Sequence, residues 1–188
     1  MTDPAWVPSR IDGVWRRRLI THADDRGSFS ELWRSSWFAD LPNSGNGVQI
    51  AQANVSRSDR GVLRGLHFHR RQADFWVLLE GRAYAALVDL RSMLAGGADV
   101  QPAVETLEMG TGDALYIPEG VAHGFLALES MTLVYLVTNE YDGTDELGFA
   151  WNDEQAGVPW PVTSPTLSGR DTANPPLLEV VSALRSRS

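Results

Sequence analysis

Three of the four histidines fall in two short patterned segments whose spacing suits a metal site. The first runs Gly61-Val62-Leu63-Arg64-Gly65-Leu66-His67-Phe68-His69 and continues to Asp74 and Gly81; the second carries Gly112, Pro118, Gly120 and His123. On a β-strand, residues i and i+2 point to the same face, so His67 and His69 are expected to share one. Asp74 belongs to the next stretch of strand and His123 to a different hairpin. Three imidazoles and a carboxylate converging inside a barrel would suit Fe, Mn, Ni, Cu or Zn, with positions left open for a ligand. The same side chains also serve as polar barrel residues that hold no metal.

Composition removes many other chemistries. The chain has 188 residues and no cysteine, which excludes a disulfide framework, a thiolate metal site and a cysteine nucleophile. All 16 basic residues are arginines. Without lysine there is no Schiff base and no P-loop, so a basic electrophile must be arginine, histidine or a metal. The net charge of −8 argues against a nucleic-acid partner. No apolar run approaches the roughly 18 residues of a membrane span, and the N-terminal stretch lacks the apolar core of a signal peptide. A cytoplasmic protein with no membrane partner is expected.

The elements that must position these residues read as strands. Phe75–Leu79 is an apolar run closed by the turn signal Glu80-Gly81-Arg82, and Ala83–Leu90 would pair back on it. Val104–Met109, Ala114–Ile117, Gly124–Leu128 and Met131–Thr138 follow at close spacing, with a Gly110-Thr111-Gly112-Asp113 turn among them. Short strands with glycine-rich turns predict an all-β sandwich or barrel. Leu177, Val180, Val181 and Leu184 recur at helical spacing and predict a short C-terminal helix over Pro176–Arg185. Pro42–Gly47 reads as a loop and Pro159–Pro176 as a long surface segment. No second core follows, so residues 1–188 are expected to form a single domain. Arg16-Arg17-Arg18 reads as a solvated strand face or a subunit contact, and Asp24 and Asp25 beside Arg26 as a loop-holding ion pair. One of Phe75 and Trp76 should line the site beside Asp74, and His22 has no partner in the motifs.

The two histidine segments resemble the paired motifs of the cupin superfamily, which implies a double-stranded β-helix, or jelly roll. A narrower resemblance covers roughly residues 12–175. Val62-Leu63-Arg64-Gly65-Leu66-His67-Phe68, Ile117-Pro118-Glu119-Gly120-Val121-Ala122-His123-Gly124-Phe125 and Val134-Tyr135-Leu136 are similar to segments of the dTDP-4-dehydrorhamnose 3,5-epimerase family. Asp25–Glu31, Gln52–Ser56, Trp151-Asn152-Asp153 and Leu167–Asp171 match as well. The resemblance implies a homodimer without cofactor that epimerises C3, or C3 and C5, of a nucleotide-linked 4-keto-6-deoxyhexose. It makes His67 the general base, Asp171 its orienting carboxylate and Tyr135 the acid on the opposite face of the sugar. It places Arg26, Glu31, Gln52, Asn54, Arg64 and His123 at substrate-binding positions, with Arg26 near the diphosphate and reaching across the dimer.

The chain departs from that family at three linked places. Asp74 stands where the resemblance puts the enolate-stabilising lysine, His69 stands at a position that is not usually histidine, and the loop between them is short. Arg70 or Arg71 could stand in for the lysine with a different donor geometry. Two alternatives to the metal-free epimerase therefore stay open. One is a metal-dependent enzyme on the same scaffold that uses His67, His69, Asp74 and His123. The other is a sugar-nucleotide-binding protein without catalysis. The first two assign His67 incompatible tasks, because a metal-bound imidazole has no free lone pair for a proton.

Overall fold

The computed structural model describes residues 5–39, 41, 48–96 and 101–186. Thirteen strands and four helices follow in order. They are β1 (Val7–Pro8), β2 (Trp15–Arg18), β3 (Thr21–Asp24), β4 (Gly27–Ser30), α1 (Ser35–Ala39), β5 (Gln52–Ser58), β6 (Leu63–Phe68), β7 (Asp74–Glu80) and β8 (Arg82–Asp89). Next come α2 (Arg91–Leu94), β9 (Ala103–Gly110), β10 (Asp113–Ile117), β11 (Val121–Ala127), β12 (Met131–Val137), β13 (Leu147–Gly148), α3 (Gly169–Ala173) and α4 (Leu177–Arg185). They build a six-stranded sheet, ordered β1-β2-β10-β7-β12-β5, and a five-stranded sheet, ordered β13-β6-β11-β8-β9. All their pairings are antiparallel; β5 to β8 and again β9 to β13 alternate between the sheets, as in a jelly roll, while β8 and β9 form a hairpin within the five-stranded sheet. The hairpin β3–β4 joins neither sheet and is exposed along nearly its whole length.

Burial explains why some strands alternate and others do not. The edge strand β5 alternates in burial along Gln52–Arg57, because one face looks inward and the other toward solvent. The inner strands β7 and β11 are buried almost throughout. Their outward faces are covered too. Trp37 and Phe38 of α1 pack with Trp6, Trp15, Phe75 and Val77 over the six-stranded sheet. Leu177 and Val181 of α4 pack with Phe68, Val88, Met93 and Phe149 over the five-stranded one. Each large side chain buried this way contributes about 1.5–3 kcal/mol of transfer free energy. Between the sheets, Val14, Leu78, Ala85, Leu87, Leu115, Phe125 and Leu133 fill one end of the barrel. The other end is left to polar side chains.

The strands of the central region and α4 lie close to where the sequence pattern puts them. Three expectations change. β11 begins at Val121, three residues before the apolar run at Gly124, because His123 faces inward like its apolar neighbours. The segment after Pro159 is not merely surface: Thr166 bridges Val62 in parallel, and α3 follows directly. Arg17 is not solvated. It is 6% exposed, with its guanidinium 3.8 Å from the ring centre of Trp37 and 5.6 Å from that of Trp6, a cation–π stack under α1. The expected loop at Pro42–Gly47 lies outside the described residues.

One close approach of backbone sets the register of the site. His123 on β11 lies directly opposite His67 on β6, and a bulge follows between His123 and Phe125. At the bulge Gly65 has φ +128°, and a Cβ there would sit 2.6 Å from the Cα of Gly124. A Cβ on Gly124 would in turn sit 2.8 Å from the carbonyl oxygen of Arg64. Only two glycines let the strands meet this closely. Gly65→Ala is therefore expected to cost about 3 kcal/mol or more in urea unfolding. Gly169→Ala, where a Cβ meets nothing within 4 Å, should stay within about 0.5 kcal/mol of the parent.

Candidate active site

The polar end of the barrel opens into a cavity of about 670 Å³, within the range of small-molecule sites. Both sheets contribute. From the five-stranded sheet come Arg64, His67 and His123; from the six-stranded sheet come Gln52, Asn54, Asp74, Trp76 and Tyr135. Period-2 alternation sorts the residues after Asp74: Trp76 faces the cavity, while Phe75 packs outward against Phe38 with ring centres 5.1 Å apart.

His67 meets Asp171 across 104 residues of sequence, with Nε2 2.6 Å from Oδ1. A carboxylate only accepts, so Nε2 carries the hydrogen and Nδ1 keeps the lone pair. Nδ1 has no hydrogen-bond partner among the described residues. Asp171 is 3% exposed and sits in the first turn of α3. Ser168 caps that helix by accepting from the Asp171 amide at 3.0 Å, and its hydroxyl donates to Asp171 Oδ2 at 2.8 Å. Burial pushes the Asp171 carboxyl up, but the hydrogen bonds from His67 and Ser168 outweigh it and hold the group below the ordinary carboxylate range.

His123 is 6% exposed, and burial pushes its pKa down to about 4 against the opposing pull of Asp74. Its Nδ1 stands 3.1 Å from the Val121 carbonyl, and His69 Nδ1 stands 2.9 Å from the Asp145 carbonyl. Carbonyls only accept, so both rings carry hydrogen on Nδ1 and bear their lone pair on Nε2. One candidate ligand atom from each of His69, Asp74 and His123 lies within 4.8 Å of the other two. His67 is not in that group, which corrects the four-residue metal set expected from spacing. The shared strand face does bring His67 and His69 into one cavity, but Asp171 takes the Nε2 of His67.

Tyr135 stands on the wall opposite His67. Burial raises its pKa first, and the nearby charges of Asp74 and Glu146 raise it further. Arg64 donates to Ser58 Oγ at 3.0 Å, and Gln52 donates to Asn54 at 2.7 Å, so these residues line the cavity as an ordered polar wall. Arg26 and Glu31 do not reach the cavity of their own chain. Arg26 pairs with Asp24 at 2.5 Å on the exposed β3–β4 turn, as its acidic neighbours suggest, and Glu31 pairs with Arg34. Arg71 lines the cavity but is held by Asp142 at 2.7 Å; Arg70 does not line it.

Several site residues escaped the sequence motifs. Asp145 is 7% exposed and accepts from the amides of Arg70 and Arg71 at 3.1 and 3.0 Å, so one residue fixes both His69 and its loop. Gln72 donates to Asp74 Oδ1 at 2.8 Å. Tyr141 and Glu146 stand at the mouth, with Glu146 paired to Arg170 of the matched Leu167–Asp171 segment. The acidic, glycine-broken run Tyr141–Glu146 was the available signal, but nothing in its spacing ties it to His69.

Residues 8–179 match the family model described as dTDP-4-dehydrorhamnose 3,5-epimerase. The chain is 38% identical over 156 residues to a spore coat polysaccharide biosynthesis protein, SpsL, of Bacillus subtilis, covering 80% of this chain and 96% of that one. It is 35% identical over 170 residues to a dTDP-4-dehydrorhamnose 3-epimerase of Streptomyces niveus, covering 87% and 79%. Among solved structures it resembles NovW, a 4-keto-6-deoxy sugar epimerase of Streptomyces spheroides, with TM-score 0.83, 31% identity and coverage of 98% and 92%.

The lowered Asp171 carboxyl contributes stability that is full above its unfolded value and is lost as pH falls through its folded one. Ser168→Ala removes the cap and one of the hydrogen bonds that lower it. The variant should lose about 1 kcal/mol at pH 7 in urea unfolding, and part of that deficit should vanish as the pH falls through the folded value of the parent's lowered carboxyl.

Proposed function

Because the chain belongs to the dTDP-4-dehydrorhamnose 3,5-epimerase family, we propose that it epimerises a dTDP-linked 4-keto-6-deoxyhexose at C3, or at C3 and C5. The observation that carries this reading is the His67–Asp171 pair facing Tyr135 across an open cavity. A hydrogen α to a ketone is acidic because the electron pair left behind spreads onto the carbonyl oxygen. His67 Nδ1 takes that proton, and Asp171 steadies the imidazolium through Nε2. The electrons form an enolate at C4. Tyr135 returns a proton from the other face, which inverts the centre. Its raised pKa keeps it protonated before the transfer. Arg64 and the polar wall of Gln52 and Asn54 bind the substrate, and Tyr141 offers the nucleobase a ring at the mouth. An intact base, orienting carboxylate and opposed acid favour catalysis over binding alone.

No described helix is long and apolar enough to cross a membrane, and we place the enzyme in the cytoplasm with its nucleotide-sugar substrate. We also place it in a homodimer. The β3–β4 hairpin joins neither of the two large sheets, Phe29 is 63% exposed, and Arg26 sits on its exposed turn, which supports the reading that a partner subunit takes it up. Sedimentation equilibrium should give twice the 20.7 kDa chain mass, and a monomer at micromolar concentration would refute the pairing.

In deuterium oxide, the enzyme should incorporate deuterium at C3 of a dTDP-4-keto-6-deoxyhexose, read by proton NMR. His67→Asn and Asp171→Asn should each slow incorporation by about 10²–10⁴-fold. Tyr135→Phe should slow formation of the epimer more than it slows exchange on the His67 face. No incorporation by folded parent protein would overturn the assignment.

A further inference from the structure

The cluster of His69, Asp74 and His123 is left over once His67, Asp171 and Tyr135 have been given the proton transfers. Asp74 is 4% exposed. A buried carboxylate is ordinarily matched by a cation or a metal. Its hydrogen-bond donors among the described residues are Gln72 on Oδ1 and, at 3.4 Å, the Trp76 indole on Oδ2. No arginine forms an ion pair with it among those residues, and the chain has no lysine. Facing it is His123, whose Nε2 stands 3.6 Å from Oδ2, too far for a hydrogen bond. The rings of His69 and His123 lie 5.8 Å apart, centre to centre. Each has its far nitrogen bound to a backbone carbonyl, the outer support that fixes ligating histidines in metal sites. Two ligand atoms each about 2.1 Å from a common ion sit about 3–3.5 Å apart; His123 Nε2 and Asp74 Oδ2 stand 3.6 Å apart, and all three candidate atoms lie within 4.8 Å of one another.

We propose that His69, Asp74 and His123 bind one divalent transition-metal ion, with coordination positions left open toward the cavity and with His67 outside the ligand set. Two imidazoles and one carboxylate match the donor preferences of zinc, cobalt, iron and manganese. All three residues line the same cavity as His67. Resting on the epimerase assignment, the ion has a definite use there. It accepts the C4 oxygen as a Lewis acid while His67 Nδ1 removes the neighbouring proton, so metal and base no longer compete for one imidazole.

The test begins with full-length protein stripped by chelator and dialysed. Titration with Co²⁺, followed by visible absorption, and with Zn²⁺, followed by calorimetry, should each give one ion per chain. Asp74→Asn and His69→Ala should weaken binding at least 100-fold, while His67→Asn should bind as the parent does. Circular dichroism checks each variant's fold. His69 is only partly buried, so its variant serves even if a change at His123 prevents folding. Binding well below one ion per chain, binding kept by folded Asp74→Asn and His69→Ala, or binding lost in folded His67→Asn would overturn the site. Proton exchange at full rate in metal-free protein would overturn the Lewis-acid role. Stoichiometric binding with no exchange would instead remove the epimerase assignment and leave the metal site standing.

Discussion

The hydrogen bond from His67 Nε2 to Asp171 decides what the rest of the cavity can do. It joins the middle of a strand to a short helix 104 residues later, and it fixes one tautomer of the ring. Had Nε2 been free, His67 would have been available as a fourth ligand beside His69. Instead its remaining lone pair is on Nδ1, suited to a proton. The carboxylate is itself held by Ser168, which serves as both helix cap and hydrogen-bond donor. A single serine therefore caps a helix and adds to the hydrogen bond from His67 that lowers the Asp171 carboxyl, and through Asp171 it helps orient the ring proposed as the base.

The jelly roll supplies this arrangement by dividing its interior. Leu87, Leu115, Leu133 and Phe125 pack one end dry, and Trp76 and Tyr135 belong both to the margin of that core and to the wall of the cavity. Opposed catalytic groups need opposed walls, and two sheets provide them. His67 and His123 are held by the five-stranded sheet, Asp74 and Tyr135 by the six-stranded one. The closeness of β6 and β11 at Gly65 and Gly124 keeps the two histidines of the first wall abreast. Packing at the dry end is thus coupled to geometry at the wet end through continuous strands.

Much of this was legible in the residues themselves. Period-2 spacing put His67 and His69 on one face, and the apolar runs marked β7, β8, β10 and β12 to within a few residues. What failed was whatever depends on a partner far away in sequence. Spacing cannot say that Asp171 captures one imidazole, nor that the Asp145 carbonyl turns another. Arg17 looked solvated because charge alone suggests water, and its burial beneath Trp37 rests on α1 folding over it. Arg26 and Glu31 matched family positions, yet a single chain keeps them outside its own cavity.

Asp74 pulls the chemistry in two directions. Its negative charge adds to the burial that keeps Tyr135 protonated, which suits a proton donor. The same charge opposes a developing enolate on the same side of the cavity, where oxyanion stabilisation is typically worth about 3–4 kcal/mol per donor. Two of the cavity's arginines are already committed, Arg71 to Asp142 and Arg170 to Glu146 at the mouth, and the third, Arg64, is turned to Ser58 and the Arg57 carbonyl. Neutral His123, with its hydrogen committed to Val121, presents a lone pair toward the site and so cannot donate to an oxyanion either. His69, Asp74 and His123 therefore offer electron pairs where the reaction needs an acceptor. A cation bound among those lone pairs would reverse the sign of the field at that point and would leave His69 and His123 in the tautomers that their backbone contacts impose.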